Sequence, residues 1–316
     1  MKKNKKVSII TTFYNASEYI QFALDSISKQ VTNDIIDIEY ILVNDCSTDN
    51  SLEIAEKFKK DIKDKANFKV KLYTPKKNLG CGGARKYGIN KATGDYFMFL
   101  DADDYYINND FCFRAVTDIE REGADIVEYG VLFNDANGGK SYNMKVEEKT
   151  IINSGIEGVY WIFKDNTIKF NVWSKIYTRN IIESCPYDDT REYEDIRTIP
   201  YYVNNANKII IMPSIEVNYR ASNNSIIRNN GINTRLGTIK AMTETCRAFK
   251  EYPKIVRALY DRAMIDICAI MDGKSSLDPG FDEMSKYNTE LLSYIYPDKY
   301  KKITYNVKDN VESKNK

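Results

Sequence analysis

The sequence contains no histidine among its 316 residues. This absence excludes histidine-based acid/base catalysis, catalytic triads that contain histidine, and histidine metal ligands. The net charge is only +1, whereas a general nucleic-acid binder needs a pronounced basic excess, so we expect no nucleic-acid partner. Any general base in this protein is therefore expected to be a carboxylate.

Paired cysteines and long apolar runs are also missing. No C-x-x-C pair occurs, which disfavours a zinc site or a disulfide scaffold and is typical of a reducing cytosol. No stretch approaches the ~20 apolar residues that span a bilayer, and the apolar run that ends at Ile10 is too short for a signal peptide. We therefore expect a cytoplasmic protein, at most peripheral on the inner face of the membrane. The six cysteines are Cys46, Cys81, Cys112, Cys185, Cys246 and Cys268.

The first hundred residues alternate short apolar runs with helical periodicity. The runs at 7–10, 40–43, 70–73 and 96–100 predict buried parallel strands, and helices are predicted at 20–27, 52–62 and 84–92. Asn15 and Glu18 form the pattern of a capping box before the first helix. This order predicts a doubly wound α/β sheet, in which ligands bind beyond the carboxyl ends of the strands.

The second half gives a coarser pattern. Strands are predicted at 125–133 and 142–152 around the turn 137–139, helices near 154–164 and 193–204, and strands near 208–219. From about Asn233 the apolar periodicity predicts a helical C-terminal region. In that region a loop at 272–281 separates the last helices, and the polar tail from Val307 is expected to fray.

An acidic run, Asp101-Ala102-Asp103-Asp104, follows the fourth predicted strand. We call residues 101–104 the aspartate run. A hard cation such as Mg²⁺ or Mn²⁺ can bridge a carboxylate to a nucleotide diphosphate. The alternative is an acidic turn or helix cap, which an isolated D-x-D would favour. Two further polar clusters expected at the same sheet edge favour the nucleotide site.

Those two clusters follow the second and third strands. Asp45 can accept hydrogen bonds from a base or ribose, while Ser47 and Thr48 can cap the next helix. The glycine-rich run 78–85 ends in Arg85, and its glycines and helix N-terminus favour an anion. The alternatives are simple helix capping and a plain glycine-rich turn.

A fourth cluster, Arg191-Glu192-Tyr193-Glu194-Asp195, lies in the second half. Without histidine, a carboxylate here is a candidate base for deprotonating a hydroxyl. The alternative is a solvated, charged start of an amphipathic helix.

These four clusters, in this order, resemble the family 2 glycosyltransferases with the GT-A fold. The resemblance implies a doubly wound, mixed α/β sheet flanked by helices, with a nucleotide-sugar-binding half at 1–115 and an acceptor-binding half at 116–230. The resemblance ends at about residue 230, and the helical C-terminal extension at 231–316 is predicted from the apolar periodicity alone. The matching segments are 7–15, 43–49, 78–85 and 94–104, followed more weakly by 171–177, 194–195 and 218–220.

The resemblance also implies roles for donor-binding residues. Thr12 and Tyr14 would contact uracil, Tyr14 by stacking. Asp45 would hydrogen-bond the base, and Arg85 would lie beside the nucleotide. Asp101 would hold the ribose or the donor sugar.

For the reaction, the resemblance implies a divalent metal, Mn²⁺ or Mg²⁺, on Asp103 and a catalytic base at Asp195. The expected function is a metal-dependent inverting transfer of a sugar from a nucleotide-sugar, a UDP-sugar by preference. The acceptor would be a hydroxyl of a glycan or lipid-linked molecule in cell-surface polysaccharide synthesis. Some relatives supply a histidine as a further metal or phosphate contact, which this chain lacks, so the metal would bind weakly without donor.

Two other functions stay open. A catalytically inactive nucleotide-sugar or glycan-binding module would keep the cleft and lose the chemistry, but the retained carboxylates speak against it. A sugar nucleotidyltransferase normally needs a glycine-rich loop after the first strand, and 11–15 contains no glycine. The region 231–316 could pack on the rest of the chain, form a homodimer, or contact a membrane surface.

Overall fold

The computed structural model describes residues 4–33, 35–135, 141–221, 232–273 and 279–297. The chain divides into two compact units, one of Met1–Val159 with Thr167–Ser225 and one of Tyr160–Asn166 with Ile226–Lys316. The predicted boundary between a donor half and an acceptor half, near residue 115, stays a prediction.

The described strands form one ten-stranded mixed sheet with β3-β2-β1-β4-β9-β6-β10-β5 as its main order. The strands are β1 (Lys5–Phe13), β2 (Ile36–Asn44), β3 (Phe68–Tyr73), β4 (Tyr96–Phe99), β5 (Tyr105–Tyr106), β6 (Ile126–Asp135), β7 (Tyr142–Met144), β8 (Thr150–Ile152), β9 (Lys175–Thr178) and β10 (Ile209–Ala221). The helices are α1 (Ile20–Ser28), α2 (Ser51–Asp61), α3 (Gly80–Ile89), α4 (Phe111–Glu122), α5 (Gly155–Lys164), α6 (Arg179–Ser184), α7 (Glu194–Asn205), α8 (Ile232–Ala248), α9 (Pro253–Gly273) and α10 (Pro279–Ile295).

The first four strands lie where the apolar runs predict them. β1 is parallel to β2 and to β4, so Ile9 pairs with Tyr40 on one side and with Met98 on the other. These three residues are at most 1% exposed. A strand covered on both faces needs apolar residues at every position, which is why its sequence reads as a continuous run.

β9 joins the two parts of the sheet and was not predicted. It is antiparallel to β4 and to β6, and it pairs Ile176 with Met98 and with Val127. Four residues are too few to show an alternating pattern, so its pairing depends on its neighbours. Helix α4, also not predicted, ends at Glu122 and is capped by Gly123, whose φ of 58° gives the left-handed conformation typical of glycine.

The predicted hairpin is correct only in part. β6 and β7 are antiparallel as expected, and the turn 137–139 lies outside the described residues. The single strand predicted at 142–152 is wrong, because β7 ends at Met144 and β8 pairs with β10. Ile152, the buried end of β8, lies opposite Ile209, so pairing with a different strand buries this apolar side chain.

The predicted capping box is also wrong. α1 begins at Ile20, and its N-cap residue, Tyr19, makes no side-chain capping bond. The Asn15 side chain instead accepts a hydrogen bond from the backbone N–H of Thr48, at 2.8 Å. A tertiary contact between two loops therefore takes the amide oxygen that the sequence pattern assigns to the helix.

The second unit contains α8, α9 and α10, which confirms the helical C-terminal region. Arg235 of α8 and Asp266 of α9 form an ion pair at 2.8 Å. The predicted loop at 272–281 is shorter, because α9 continues to Gly273 and α10 begins at Pro279, a residue suited to a first helical position. The tail from Val307 lies outside the described residues. Within the described part of the chain, no helix has the length and apolar character required to cross a bilayer.

Candidate active site

The loops after β1 and β2 are tied to each other. Asn15 has a positive φ of 49°, its N–H donates to Ser47 Oγ at 3.1 Å, and its side chain accepts from Thr48. Tyr14 projects from this rigid loop and is 53% exposed, while Thr12 lies half-buried near the end of β1. An aromatic ring presented on a fixed backbone suits stacking on a flat base.

Asp45 lies at the N-terminus of α3 and is 4% exposed. Its two carboxylate oxygens accept the N–H groups of Leu79 and Gly80, at 2.7 and 2.8 Å. The Asn78 side chain donates to the Asp45 carbonyl at 2.7 Å. Asp45 therefore fixes the glycine-rich run, and its predicted bond to a base would use the remaining lone pairs of the same oxygens.

The capping expected of Ser47 and Thr48 is not made, because the N-cap residue of α2 is Asn50, which forms no side-chain capping bond. Asp49 Oδ1 accepts the N–H of Ser51, the first residue of α2, at 3.0 Å. Ser47 and Thr48 are used by the bonds to Asn15, which hold the two loops together.

The glycine-rich run allows another part of the chain to approach. A Cβ on Gly82 would lie 2.3 Å from the carbonyl oxygen of Thr190 and 2.7 Å from that of Asp188. Lys86 and Asp189 add an ion pair at 2.8 Å between α3 and the same segment. The glycine at position 82 is therefore required for packing α3 against the segment that leads into α7.

Arg85 lies at the centre of this contact and is 6% exposed. Its guanidinium pairs with Asp101 at 2.5 Å and also with Glu194. We call these three residues the Arg85 cluster. The cluster joins the aspartate run, at the end of β4, to the first turn of α7, and with one cation and two carboxylates it carries a net charge of −1.

The aspartate run brings three carboxylates together. Oxygens of Asp101, Asp103 and Asp104 lie within 4.8 Å of one another, a spacing that could hold a metal ion. Asp101 is paired with Arg85, and the fully buried Asp104 accepts the N–H of Arg220 at 2.9 Å. Asp103 is therefore the carboxylate of the three best placed to bind a hard cation.

Burial and the neighbouring Asp101 raise the pKa of Asp103 to about 6. Its carboxylate is thus poorly solvated in the absence of a cation. A divalent ion would remove that penalty by compensating the negative charge, so the donor set fits Mn²⁺ or Mg²⁺.

Asp195 lies in the first turn of α7, directly after Glu194 of the Arg85 cluster. The preceding Tyr193 has a φ of 60°, a strained value for a bulky residue that is often associated with functional sites. Burial and the charge of Glu194 raise the pKa of Asp195 to about 7, although Arg85 lowers it in part. A carboxylate that titrates near neutral pH is suited to general base catalysis.

The sequence shows only the order of the candidate residues along the chain, whereas the structure shows which of them are in contact. Arg85, Asp101 and the start of α7 are joined directly, and Asp103 lies beside Asp101. The structural tie between Arg85 and Glu194 was missed, because these residues are 109 positions apart and no local pattern links them. The packing role of Gly82 was missed for the same reason.

Comparison with known proteins gives a family match and several relatives. Residues 8–183, more than half of the chain, match the family described as Glycosyl transferase family 2. Glycosyltransferase GlyA of Streptococcus pneumoniae is 30% identical over 204 residues, which are 62% of this chain. The matched part is only 27% of GlyA, so the chain spans about a quarter of that relative's length.

Solved structures share the fold. Staphylococcus aureus TarS 1–349, in complex with UDP-GlcNAc, gives a TM-score of 0.57 at 19% identity, over 93% of this chain and 73% of that one. The mannosyltransferase PcManGT of Pyrobaculum calidifontis, in complex with GDP-Man and Mn²⁺, gives 0.57 at 14% identity, over 93% and 86%. The mixed α/β sheet of the GT-A fold, with its helical C-terminal region, is confirmed. From its matched residues, its fold and the order of its clusters, the chain belongs to glycosyl transferase family 2.

Proposed function

We propose that this protein is a metal-dependent inverting glycosyltransferase that moves a sugar from a UDP-sugar to a hydroxyl of a glycan or lipid-linked acceptor. Its place would be in cell-surface polysaccharide synthesis. The observation that carries the proposal is the Arg85 cluster, in which one guanidinium binds Asp101 of the aspartate run and Glu194 beside Asp195. It brings a donor-binding carboxylate and a candidate base into one site.

The donor side of the proposal depends on the rigid loops. Tyr14 offers an exposed ring for the base, Thr12 lies two residues before it, and Asp45 faces the start of α3. Asp101, held by Arg85, would receive the ribose or donor sugar. Relatives with this fold bind UDP-GlcNAc or GDP-Man, which supports a nucleotide-sugar as donor.

Asp103 would hold the divalent metal of the donor complex. When bound, Mn²⁺ or Mg²⁺ would supply positive charge that stabilises the departing diphosphate. Arg85 would lie beside the nucleotide, where its charge is already balanced by its two carboxylate partners, Asp101 and Glu194.

Asp195 would accept the proton of the attacking acceptor hydroxyl. A free aspartate has a pKa of about 3.9 and would be a weak base, so a value near 7 improves the match to the operating pH. Attack by the deprotonating hydroxyl from the face opposite the leaving diphosphate gives inversion in a single displacement.

The decisive variant is Asp195→Asn, which keeps the shape of the side chain and its contact with the Ile196 N–H. We expect kcat for sugar transfer to fall about 10²–10⁴-fold, the usual contribution of a general base, with UDP affinity unchanged. Calorimetry with UDP and Mn²⁺ measures binding, and product formation from a panel of UDP-sugars measures transfer. Undiminished transfer would refute the role of Asp195.

Asp103→Ala separates the metal role from the base role. We expect UDP to bind this variant with the same affinity in the presence and absence of Mn²⁺, because the protein ligand for the bridging cation is gone. A manganese dependence equal to that of the unmodified protein would refute the assignment. Binding of UDP without transfer to any acceptor by the unmodified protein would favour the inactive binding module.

The location and assembly are further parts of the proposal. All six cysteines are free, which supports a reducing cytoplasm, on the inner face of the membrane where a lipid-linked acceptor would lie. Region 231–316 would provide peripheral membrane contact or a homodimer interface. A full chain that sediments as a monomer at every concentration and does not pellet with anionic vesicles would refute both roles.

A further inference from the structure

A cavity of about 450 Å³ is lined by residues of α1, β5 and β10. We call it the α1 cavity. It is lined by side chains that include Phe22, Lys29, Tyr105, Asn134, Asn218 and Arg220. The donor-site residues named above, from Thr12 to Asp195, are not among the lining residues, so the cavity is separate from the proposed nucleotide site.

Side chains alternate between the two faces of a strand, and polar side chains on one face of β10 and β6 line this cavity. Asn218 and Arg220 are two residues apart on β10 and therefore share a face, while Tyr219 lies on the opposite one. Asn134 of β6 is the direct partner of Arg220 in the parallel register. The cavity wall is thus part of the sheet, which holds these side chains in fixed positions.

The cavity contains polar atoms that the protein does not satisfy. Among the described side chains, seven buried polar atoms lack a hydrogen-bond partner, and two of them, Arg220 Nη1 and Asn218 Oδ1, belong to residues that line the cavity. A buried polar atom without a partner costs stability, so two such atoms in one cavity indicate a ligand that pairs with them. Arg220 Nη1 is a donor, and Asn218 Oδ1 is an acceptor.

Two aromatic rings lie against the Arg220 guanidinium. Its central carbon lies 4.0 Å from the ring centroid of Phe22 and 5.5 Å from that of Tyr19. These cation–π contacts restrict the guanidinium, whose planar fork suits two-point binding of an oxyanion. Lys29 adds a second cation and Asp25 one carboxylate, so the lining carries one net positive charge.

The cavity adjoins the reaction site through the chain. Tyr105 and Tyr106, which line it, directly follow the aspartate run, and the backbone N–H of Arg220 donates to Asp104. A ligand held by Arg220 therefore lies close to the aspartate run.

We propose that the α1 cavity binds an oxyanion on a hydroxyl-rich acceptor, a phosphoryl or carboxylate group, and that Arg220 is its principal ligand. The inference rests on the proposed function, since it assigns the acceptor side of the same reaction. The anion pairs with the guanidinium, and a neighbouring hydroxyl donates to Asn218 Oδ1. An acceptor that carries negative charge is then preferred over a neutral sugar.

NMR titration of the full chain tests this with four small probes. sn-Glycerol 3-phosphate and glucuronate carry the two candidate oxyanions, and glycerol and glucose are their neutral counterparts. We expect one or both anions to bind and the neutral probes to bind much more weakly. The anion that binds more tightly identifies the phosphoryl or the carboxylate source.

Variants assign the binding to Arg220. Because hydrogen bonds to charged groups contribute about 1.5–3 kcal/mol, Arg220→Gln should raise the Kd of the bound anion at least about tenfold. Arg220→Lys should retain part of the affinity, and Lys29→Gln should weaken it less than Arg220→Gln. Arg179→Gln is the matched control, because Arg179 also stacks on a ring, Phe97 at 5.1 Å, outside the cavity. A control variant with unchanged Kd supports the assignment.

Three results would overturn the proposal. The unmodified protein could bind neither anion, or Arg220→Gln, shown to be folded by its melting curve, could bind them equally well. Alternatively, UDP with Mn²⁺ could displace the anion, which would put it on the donor side. If the anion binds through Arg220 but UDP does not bind at all, the proposed function fails and the oxyanion site stands on its own.

Discussion

Two charge clusters of this protein, one between helices α3 and α7 and one against the sheet, have opposite characters. The Arg85 cluster places one cation between two carboxylates, of which Asp101 is 28% exposed at the site. The second, which we call the Glu128 cluster, places one carboxylate between Lys169 and Lys175, at 2.7 and 3.1 Å, with all three side chains at most 5% exposed.

The comparison shows how charge balance and access separate a functional cluster from a structural one. In the Glu128 cluster each group is enclosed, and Lys175 also donates to the carbonyl groups of Lys169 and Asn171. The Arg85 cluster has an excess of negative charge and lies beside Asp195, whose pKa it shifts. We therefore expect changes in the Glu128 cluster to affect stability and changes in the Arg85 cluster to affect the reaction.

The largest effect is expected from Glu128→Ala. It leaves two lysine ammonium groups buried without a counter-charge, so the free energy of unfolding should fall by about 3–5 kcal/mol, measured by urea denaturation. Glu147→Ala is the control, because Glu147 is 87% exposed in its ion pair with Lys145 and should change stability by less than about 0.5 kcal/mol. Equal losses in the two variants would contradict a structural role for the cluster.

Arg85→Gln is expected to act mainly on activity. Losing this cation leaves Asp101 and Glu194 unpaired and raises the pKa of Asp195 further, because Arg85 now lowers it. The kcat/KM at pH 7 should fall at least about tenfold, and the pH profile should move to higher pH. Arg114→Gln removes a comparable pair with buried Glu216 and should leave the profile in place. An unchanged pH profile of kcat/KM in Arg85→Gln would show that the Arg85 cluster does not influence the pKa of Asp195.

The pH dependence of the unmodified protein gives a third test. Asp195 must be ionised to accept a proton, so kcat/KM should rise as pH increases through about 7 and fall about tenfold per unit below it. A profile that is flat between pH 5 and 8 would exclude this base.

The raised pKa of Asp195 also affects the stability of the protein. Because the folded pKa of Asp195 lies above the unfolded value of about 3.9, the folded state binds the proton more tightly between these values. Stability is therefore lost as pH rises through that window. Asp195→Asn should raise the melting temperature more at pH 8 than at pH 5. An equal rise in melting temperature at the two pH values would contradict the raised pKa of Asp195.

The smallest effect is expected from Ser47→Ala in the donor loops. It removes the oxygen that accepts the Asn15 N–H, an exposed contact that should contribute about 0.5–1.5 kcal/mol at most. UDP affinity should weaken by a few-fold, measured by calorimetry. Ser28→Ala, whose hydroxyl bonds within α1 to the Asp25 carbonyl, is the control and should leave the affinity unchanged.

The sequence predicted β1, β2 and β4 well because both faces of each strand are buried. Their residues must be apolar whatever the details of packing, so composition alone reveals them. β9 is different, since only four residues form it and Lys175, its first residue, is buried through contacts with Glu128 that no local pattern records.

For the site, the sequence determined which chemistry was available: without histidine, aspartates had to serve as metal ligand and candidate base, at strand ends or a helix start. Only the tertiary structure decided which carboxylates are free. It paired Asp101 with Arg85, buried Asp104 against Arg220, and left Asp103 available. The physical reason is that residue type is local, whereas pairing and burial depend on contacts between segments far apart in the chain.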